Sequence, residues 1–300
     1  MAKNVVDALK AGTLLCDGGM IIEARWRGYG TPDVIIENPE VLRQIHRDYF
    51  RAGSQVLQAL TWWTSRTQLE RRHGWGDRLG EITQTAIRLA KEGSDGEAFV
   101  AGCLNQTGAG SWRGEFIFDP ENAETRDRAC AEWDEHITSM VEAGADLLVP
   151  ETFARLDEAR LCLSRCKKTD VPTMVLMGLG GPTQTQDGAS PAECARVLAD
   201  EGADIVGVVC TGGPREMLPA AIEMRQAVDI PIAYQPGGYR SIGPNSRTLR
   251  ESLIIPCREF ATHALKAKAE GINLIGACCG AGTEHIRAMA QALGCERCPI

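Results

Sequence analysis

Short apolar runs rich in β-branched residues alternate, along the whole chain, with longer stretches whose apolar positions recur every three or four residues. The first kind reads as buried parallel strands and the second as amphipathic crossover helices. Strands are expected at residues 13–17, 55–60, 98–104, 146–151, 173–178, 205–210, 230–235 and 273–278. Helices are expected at 39–51, 79–91, 123–142, 191–201, 216–227, 257–270 and 284–293. Three of them run out at a glycine just before an apolar strand, in Glu142-Ala143-Gly144-Ala145-Asp146, Glu201-Gly202-Ala203-Asp204 and Glu270-Gly271-Ile272-Asn273. Glycine in that place can take the left-handed conformation that ends a helix and turns the chain back into the sheet.

Eight such units in 300 residues, with no Pro/Ser-rich linker between them, predict an α/β fold. The form expected is a (β/α)8 TIM barrel, a single domain over 1–300 with residues 295–300 as a flexible tail; a doubly wound open sheet is the alternative. Two connections, 107–121 and 237–255, are longer than a barrel needs. Both follow the C-terminal ends of strands, the face on which barrels carry active sites, so they are candidates for a lid or substrate walls.

Composition narrows the ligand. The net charge is -8, and Lys and Arg are scattered among acids, so no basic face is available for nucleic acid. Residues 1–12 lack a signal peptide's apolar core and no run of about 18 apolar residues occurs, which argues against a membrane and for the cytoplasm. Twelve cysteines in a reducing compartment are then packing residues, metal ligands or reactive thiols rather than a disulfide framework.

Position separates these roles. The sixth strand ends in Cys210 and is followed by Thr211-Gly212-Gly213; the eighth ends in Cys278-Cys279-Gly280. In a barrel these ends are near neighbours, and both cysteines of the pair can ligate where the chain leaves its strand and alternation stops. Three thiolates leave one tetrahedral position open, the layout of a catalytic zinc site. Such a soft, anionic site favours a substrate sulfur as thiolate, whose natural electrophile is a methyl group on a sulfonium or quaternary ammonium centre. Cys16, Cys103, Cys130, Cys162, Cys166, Cys194 and Cys257 have no such grouping and are assigned to packing. Cys295 and Cys298 form a terminal Cys-x-x-Cys read as a frayed tail. His46, His73, His136, His263 and His285 show no metal spacing.

With these residues in view, nearly the whole chain resembles the homocysteine S-methyltransferase family, most closely its betaine-type members. The resemblance rests on Asp17-Gly18-Gly19, Asn38-Pro39-Glu40, His46-Arg47, Arg51-Ala52-Gly53-Ser54, the stretch from Gln58 to Ser65, Glu151 with Phe153, Cys210, Gln235-Pro236, Gly276 to Gly280, and His285-Ile286-Arg287. It implies a (β/α)8 barrel, a Zn2+ cofactor on Cys210, Cys278 and Cys279, and transfer of a methyl group to homocysteine, giving methionine. It also implies that Asp17, Gly18 and Glu151 position the amino group and chain of the acceptor. Read from the residues alone, Asp17 before two glycines fits a turn as well, and Glu151 fits a helix cap.

The donor side departs from the resemblance. The betaine enzymes carry a tyrosine where this chain has Trp63, preceded by Trp62, and a tryptophan that has no counterpart in the shortened segment between Tyr29 and Thr31. Trp62 and Trp63 offer aromatic faces for an onium group. Gln235, Tyr239 and Arg240 lie where a carboxylated donor could be bound. Val209 stands where the family commonly has Asn, so the hydrogen bonds of that amide are lost beside the metal. The expected partners are therefore a small-molecule thiol acceptor and a methylated onium donor, without nucleic acid or membrane, and a homo-oligomer is compatible with the sequence. S-methylmethionine or S-adenosylmethionine as donor, a demethylase using another thiol or a corrinoid protein as acceptor, and a non-catalytic zinc-binding barrel are the competing readings.

Overall fold

The computed structural model describes residues 4–107, 118–179, 183–240 and 253–295. The expected lid segments 107–121 and 237–255 lie largely outside them, as does Cys298 with most of the terminal tail. The strands are β1 (Leu14–Leu15), β2 (Val56–Ala59), β3 (Phe99–Asn105), β4 (Leu147–Phe153), β5 (Met174–Met177), β6 (Ile205–Val209), β7 (Ile232–Gln235) and β8 (Leu274–Ile275). The helices are α1 (Val5–Ala11), α2 (Met20–Trp26), α3 (Asp33–Glu37), α4 (Pro39–Ala52), α5 (Arg66–His73) and α6 (Leu79–Gly93), then α7 (Ala123–Glu142), α8 (Leu156–Cys166), α9 (Pro191–Asp200), α10 (Pro214–Ala227), α11 (Cys257–Ala269) and α12 (Thr283–Leu293).

All eight strands are parallel, in the order β1-β8-β7-β6-β5-β4-β3-β2. A parallel bridge from Cys16 to Val56 closes β1 onto β2, with the Gln55 N–H donating to the Leu15 carbonyl at 2.7 Å. The architecture is therefore the (β/α)8 barrel expected from the sequence, not an open doubly wound sheet. Alternation of side chains along each strand makes two cores. Cys16, Val56, Ala101, Cys103, Leu147, Val149, Leu176, Val209 and Ala233 fill the barrel, joined by Val5 and Leu9 of α1. Leu15, Leu57, Val100, Leu148, Val175, Val206 and Tyr234 point out into the layer under the helices.

Local chemistry explains the helix boundaries. Asn122 accepts hydrogen bonds from the Glu124 and Thr125 N–H groups at the start of α7, and Ser190 caps α9 ahead of Pro191. Gly144, Gly202 and Gly271 take φ of 77°, 94° and 77°, as the helix-to-strand glycines require. Two differences from the sequence reading bear on the site. The helix α8 joins β4 to β5 where no segment had been singled out, and α2 and α5 occupy the connections after β1 and β2. The strands β1 and β8 are shorter than expected because the chain leaves the ladder at Gly276: its N–H donates to Tyr234, but the Ala277 N–H turns to the Asp17 carbonyl at 3.0 Å.

Packing between β6 and β7 is close. A Cβ on Gly207 would lie 2.1 Å from the Ala233 carbonyl oxygen. Backbone cannot yield as a flexible side chain can, so Gly207→Ala is expected to destabilise the fold by about 3 kcal/mol, the upper end for overpacking. Thermal unfolding read by circular dichroism checks this.

Candidate active site

At the C-terminal mouth of the barrel, the sulfur atoms of Cys210, Cys278 and Cys279 lie within 4.8 Å of one another. Cys210 follows β6 with φ of 67°, a left-handed conformation uncommon outside glycine, and its N–H donates to the Gln235 carbonyl at 3.0 Å. The Cys278 N–H donates to Pro236 at 2.9 Å, and the Cys279 carbonyl accepts from Gly238 at 2.7 Å. Both ends of the β7 turn thus clamp the cysteine pair. Glycine is needed in this turn because a Cβ on Gly238 would lie 2.2 Å from the Gly280 carbonyl carbon.

The Asp-Gly-Gly and Cys-Cys-Gly segments interlock. The Ala281 carbonyl accepts from the Gly19 N–H at 2.9 Å and from the Tyr49 hydroxyl at 3.3 Å. A Cβ on Gly18 would meet that same oxygen at 2.5 Å, and one on Gly19 would meet the Cys278 carbonyl at 2.9 Å. Two turns far apart in sequence therefore require each other's glycines. His285 holds the far side: Nδ1 accepts from the Gly282 N–H at 3.2 Å and Nε2 faces the Ile255 carbonyl at 2.9 Å. It is a packing and capping histidine, as its isolation in the sequence suggested.

The arrangement can take a metal. Three sulfurs around a tetrahedral zinc would sit about 3.8 Å apart, within a small adjustment of the observed spacing. Hydrogen bonds from Cys210 and Cys278 push the Cys279 thiol well below its usual range, so one thiolate is already favoured before a cation arrives. Among the described residues this is the one cluster of three His, Cys, Asp or Glu side chains with metal-binding spacing.

Beside the cysteines, two carboxyl groups stand without a cation among the described residues. Asp17 is fully buried at the end of β1, where it accepts from the Gln58 N–H at 2.8 Å and from the Cys16 thiol at 3.5 Å. Glu151, on β4, meets the Gln58 amide nitrogen at 3.4 Å. Desolvation pushes Asp17 well above the usual carboxyl range and Glu151 up to about 7. Neither has an ion-pair partner among the described residues.

The sequence reading did not assign a role to Gln58, which bridges both acids, and it assigned Cys16 and Cys103 to packing. These two are buried as expected of packing residues, yet the Gln58 amide also donates to Cys103 at 3.2 Å. Inward parity on adjacent strand ends was the available signal.

Gln235 is fully buried, and neither atom of its carboxamide has a hydrogen-bond partner among the described residues. Its register partner on β6 is Val209, so the two side chains share the inner face. An Asn there would offer the carboxamide a partner; Val cannot. A buried amide without a partner costs about 1–3 kcal/mol, so this carboxamide is a ready contact for a polar ligand.

At the rim, the indole N–H of Trp62 donates to the Glu151 carbonyl at 3.2 Å, and Trp63 packs edge-on to Trp62 with centroids 4.7 Å apart. Tyr239 lies over Gly280, where an added Cβ would meet its ring at 2.6 Å. Burial and the nearby Cys279 and Cys210 push its phenol up to about 12. Arg240 pairs with Glu259 at 2.8 Å.

A profile of the homocysteine S-methyltransferase family matches residues 14–293. The chain belongs to the homocysteine S-methyltransferase family. It is accordingly a methyltransferase. Betaine–homocysteine S-methyltransferase 1 of Danio rerio is 31% identical over 320 residues, covering 98% of this chain and 76% of that protein. An S-methylmethionine–homocysteine S-methyltransferase of Pongo abelii is 29% identical over 316 residues, covering 98% of this chain and 82% of that one. The metallated form of the homocysteine methyltransferase MmuM from Escherichia coli shares the fold, with a TM-score of 0.78 at 21% identity over 95% of this chain and 98% of that one. No described helix is long and apolar enough to cross a membrane.

Near the site, Glu158 of α8 accepts from the Thr107 N–H at 2.7 Å and its hydroxyl at 2.6 Å, tying the start of the connection after β3 to α8. Burial pushes this carboxyl up to about 7 from an ordinary 4.5, against the Thr107 hydrogen bonds. The folded state thus holds the proton more tightly than the unfolded chain. The resulting stabilisation is complete below pH 4.5, falls as the pH rises, and is gone above about 7. Its span is about 3 kcal/mol. Glu158→Gln should lose this slope, which denaturant unfolding at about pH 5 and about pH 8 would read.

Proposed function

We propose that the protein is a zinc enzyme that transfers a methyl group from an onium donor, betaine or a related N-methyl or sulfonium compound, to the sulfur of homocysteine. The observation that carries this reading is the joint placement of three converging thiols and two uncompensated carboxyl groups at one strand-end rim. Cys210, Cys278 and Cys279 would hold the zinc, which when bound lowers the pKa of a substrate thiol and keeps it as thiolate at neutral pH.

The remaining work falls to the chain's own side chains. Asp17 and Glu151 have no cation among the described residues, and the α-ammonium of an amino-acid thiol supplies one. Gln58 fixes both carboxyl groups, with its backbone N–H on the first and its amide on the second, so they act as positioning groups. Gly18 lets the acceptor chain approach the backbone without a side chain between. Gln235 offers the polar end of the acceptor or donor an otherwise unpartnered amide. Trp62, Trp63 and Tyr239 wall the donor side and exclude water, which strengthens attraction between the acceptor sulfur and the onium methyl. As the new sulfur–carbon bond forms, the carbon–onium bond breaks and its electron pair leaves with the donor, as a neutral amine or thioether. The thiol proton is released to solvent.

The test is a donor panel: zinc-loaded protein with L-homocysteine and, separately, betaine, dimethylsulfoniopropionate, S-methylmethionine or S-adenosylmethionine, with products read by mass spectrometry. Methionine from an onium donor is the expected product. No methionine from any of them, with zinc bound, would overturn the acceptor assignment.

A further inference from the structure

The arginines at the mouth of the site point to how the donor is chosen. The helix α5 folds back after the Trp62–Trp63 corner and sets the guanidinium carbon of Arg72 4.0 Å from the centroid of the Trp63 ring. Trp63 rests edge-on against Trp62, and Trp62 bonds the Glu151 carbonyl and packs on the inner core of the barrel, as Cys210 and Cys279 do. Two aromatic rings therefore link the Arg72 cation to Glu151 at the rim. From the other side, α2 springs from the Gly19 turn that abuts Cys278 and Cys279, and it carries Arg25. The charge of Arg25 acts on Cys279 and Tyr239 at the site and on Arg72 across it.

Neither arginine forms an ion pair with a described residue, in contrast to Arg27 and Arg240, which are both paired. Burial and the like charges of Arg71 and Arg25 work against the Arg72 cation. An arginine held on an aromatic face, half out of water and near a second cation with no ion-pair partner among the described residues, is a recognition point for a carboxylate. It also changes the role of Trp63: one face of that ring carries a protein cation rather than standing open to an onium group. Two positive charges repel a donor that brings only positive charge.

We propose that Arg72, aided by Arg25, binds a carboxylate on the methyl donor, so that the site selects onium carboxylates lacking an α-ammonium over donors that are purely cationic or carry one. This rests on the methyl-transfer reading above and names the donor class within it. Arg72 is a specificity-determining residue here; Trp63 positions it.

The test compares betaine with its uncharged-end analogue, trimethylglycinamide, in the zinc-loaded wild type, Arg72→Met and Arg72→Lys, with calorimetric binding of both compounds beside the kinetics. Circular dichroism establishes that each variant is folded. In the wild type, kcat/KM should favour the acid by about tenfold or more, the loss expected for one charge-assisted contact. In Arg72→Met that ratio should fall toward one through the donor KM, with the homocysteine KM little changed, and Arg72→Lys should retain part of it. Calorimetry should show the same loss of preference. Equal use and equal binding of acid and amide by the wild type, or an unchanged ratio in folded Arg72→Met, would overturn the proposal. Transfer from no onium donor, with betaine still bound through Arg72, would instead count against the methyl-transfer reading.

Discussion

Cys279→Ala is expected to empty the protein of metal and to lower methyl transfer by more than about a hundredfold, while leaving the barrel folded. Loss of a group that merely supports a ligand costs roughly 10–100-fold in metal affinity, and loss of a ligand costs more. Cys279 is the thiol whose proton is held least tightly, because Cys210 and Cys278 both donate to it. Its removal therefore takes away the thiolate around which the other two are arranged. The fold should survive because Cys279 is half-buried at the rim, whereas the barrel is filled by Val56, Leu147, Val149 and Leu176 below. Metal content by elemental analysis, circular dichroism, and methionine formation check the three parts. A folded variant that keeps its metal would contradict the assignment.

Asp17→Asn should raise the homocysteine KM by about 10²–10³-fold, corresponding to roughly 3–4 kcal/mol, the lower part of the range lost when one partner of a buried charge pair is removed. The same substitution should stabilise the free protein. Desolvation holds the Asp17 carboxyl well above its usual range, so its ionisation opposes folding at neutral pH. The sign follows: with a folded pKa raised, the stabilisation from this group is present at low pH and lost as pH rises through the folded value. Asn retains an oxygen for the Gln58 N–H but carries no charge to lose. A gain in stability with a loss of acceptor binding is the signature of a binding carboxylate rather than a turn residue. For 4-mercaptobutyrate, which has no ammonium group, the wild type and the variant should differ little.

The barrel was legible because its signals are local and repeated. Alternation of apolar runs with amphipathic stretches, and the glycines at 144, 202 and 271, each specify one joint of the same architecture. The cysteine cluster was legible because strand ends in a barrel converge on one face, so Cys210 and the Cys278-Cys279 pair needed only the correct strand count. Other parts of the site depend on packing that no spacing encodes. Gln58 became a bridge between Asp17 and Glu151 only once β2 lay between β1 and β3, with β4 beyond. The interlocking of Gly18 and Gly19 with the turn at Ala281 is a contact between the two ends of the chain. The pairing of Arg240 with Glu259 of α11, and the seating of Arg72 on Trp63 from a helix the periodicity did not mark out, are likewise settled by packing.

The central claim is that Cys210, Cys278 and Cys279 hold zinc with a place left for the acceptor sulfur. X-ray absorption at the zinc edge, recorded on the zinc-loaded protein with and without L-homocysteine, tests it most directly. Three sulfur neighbours rising to four when homocysteine is added is the predicted result. Four protein ligands that do not change with the thiol, or fewer than three sulfurs in either sample, would contradict it.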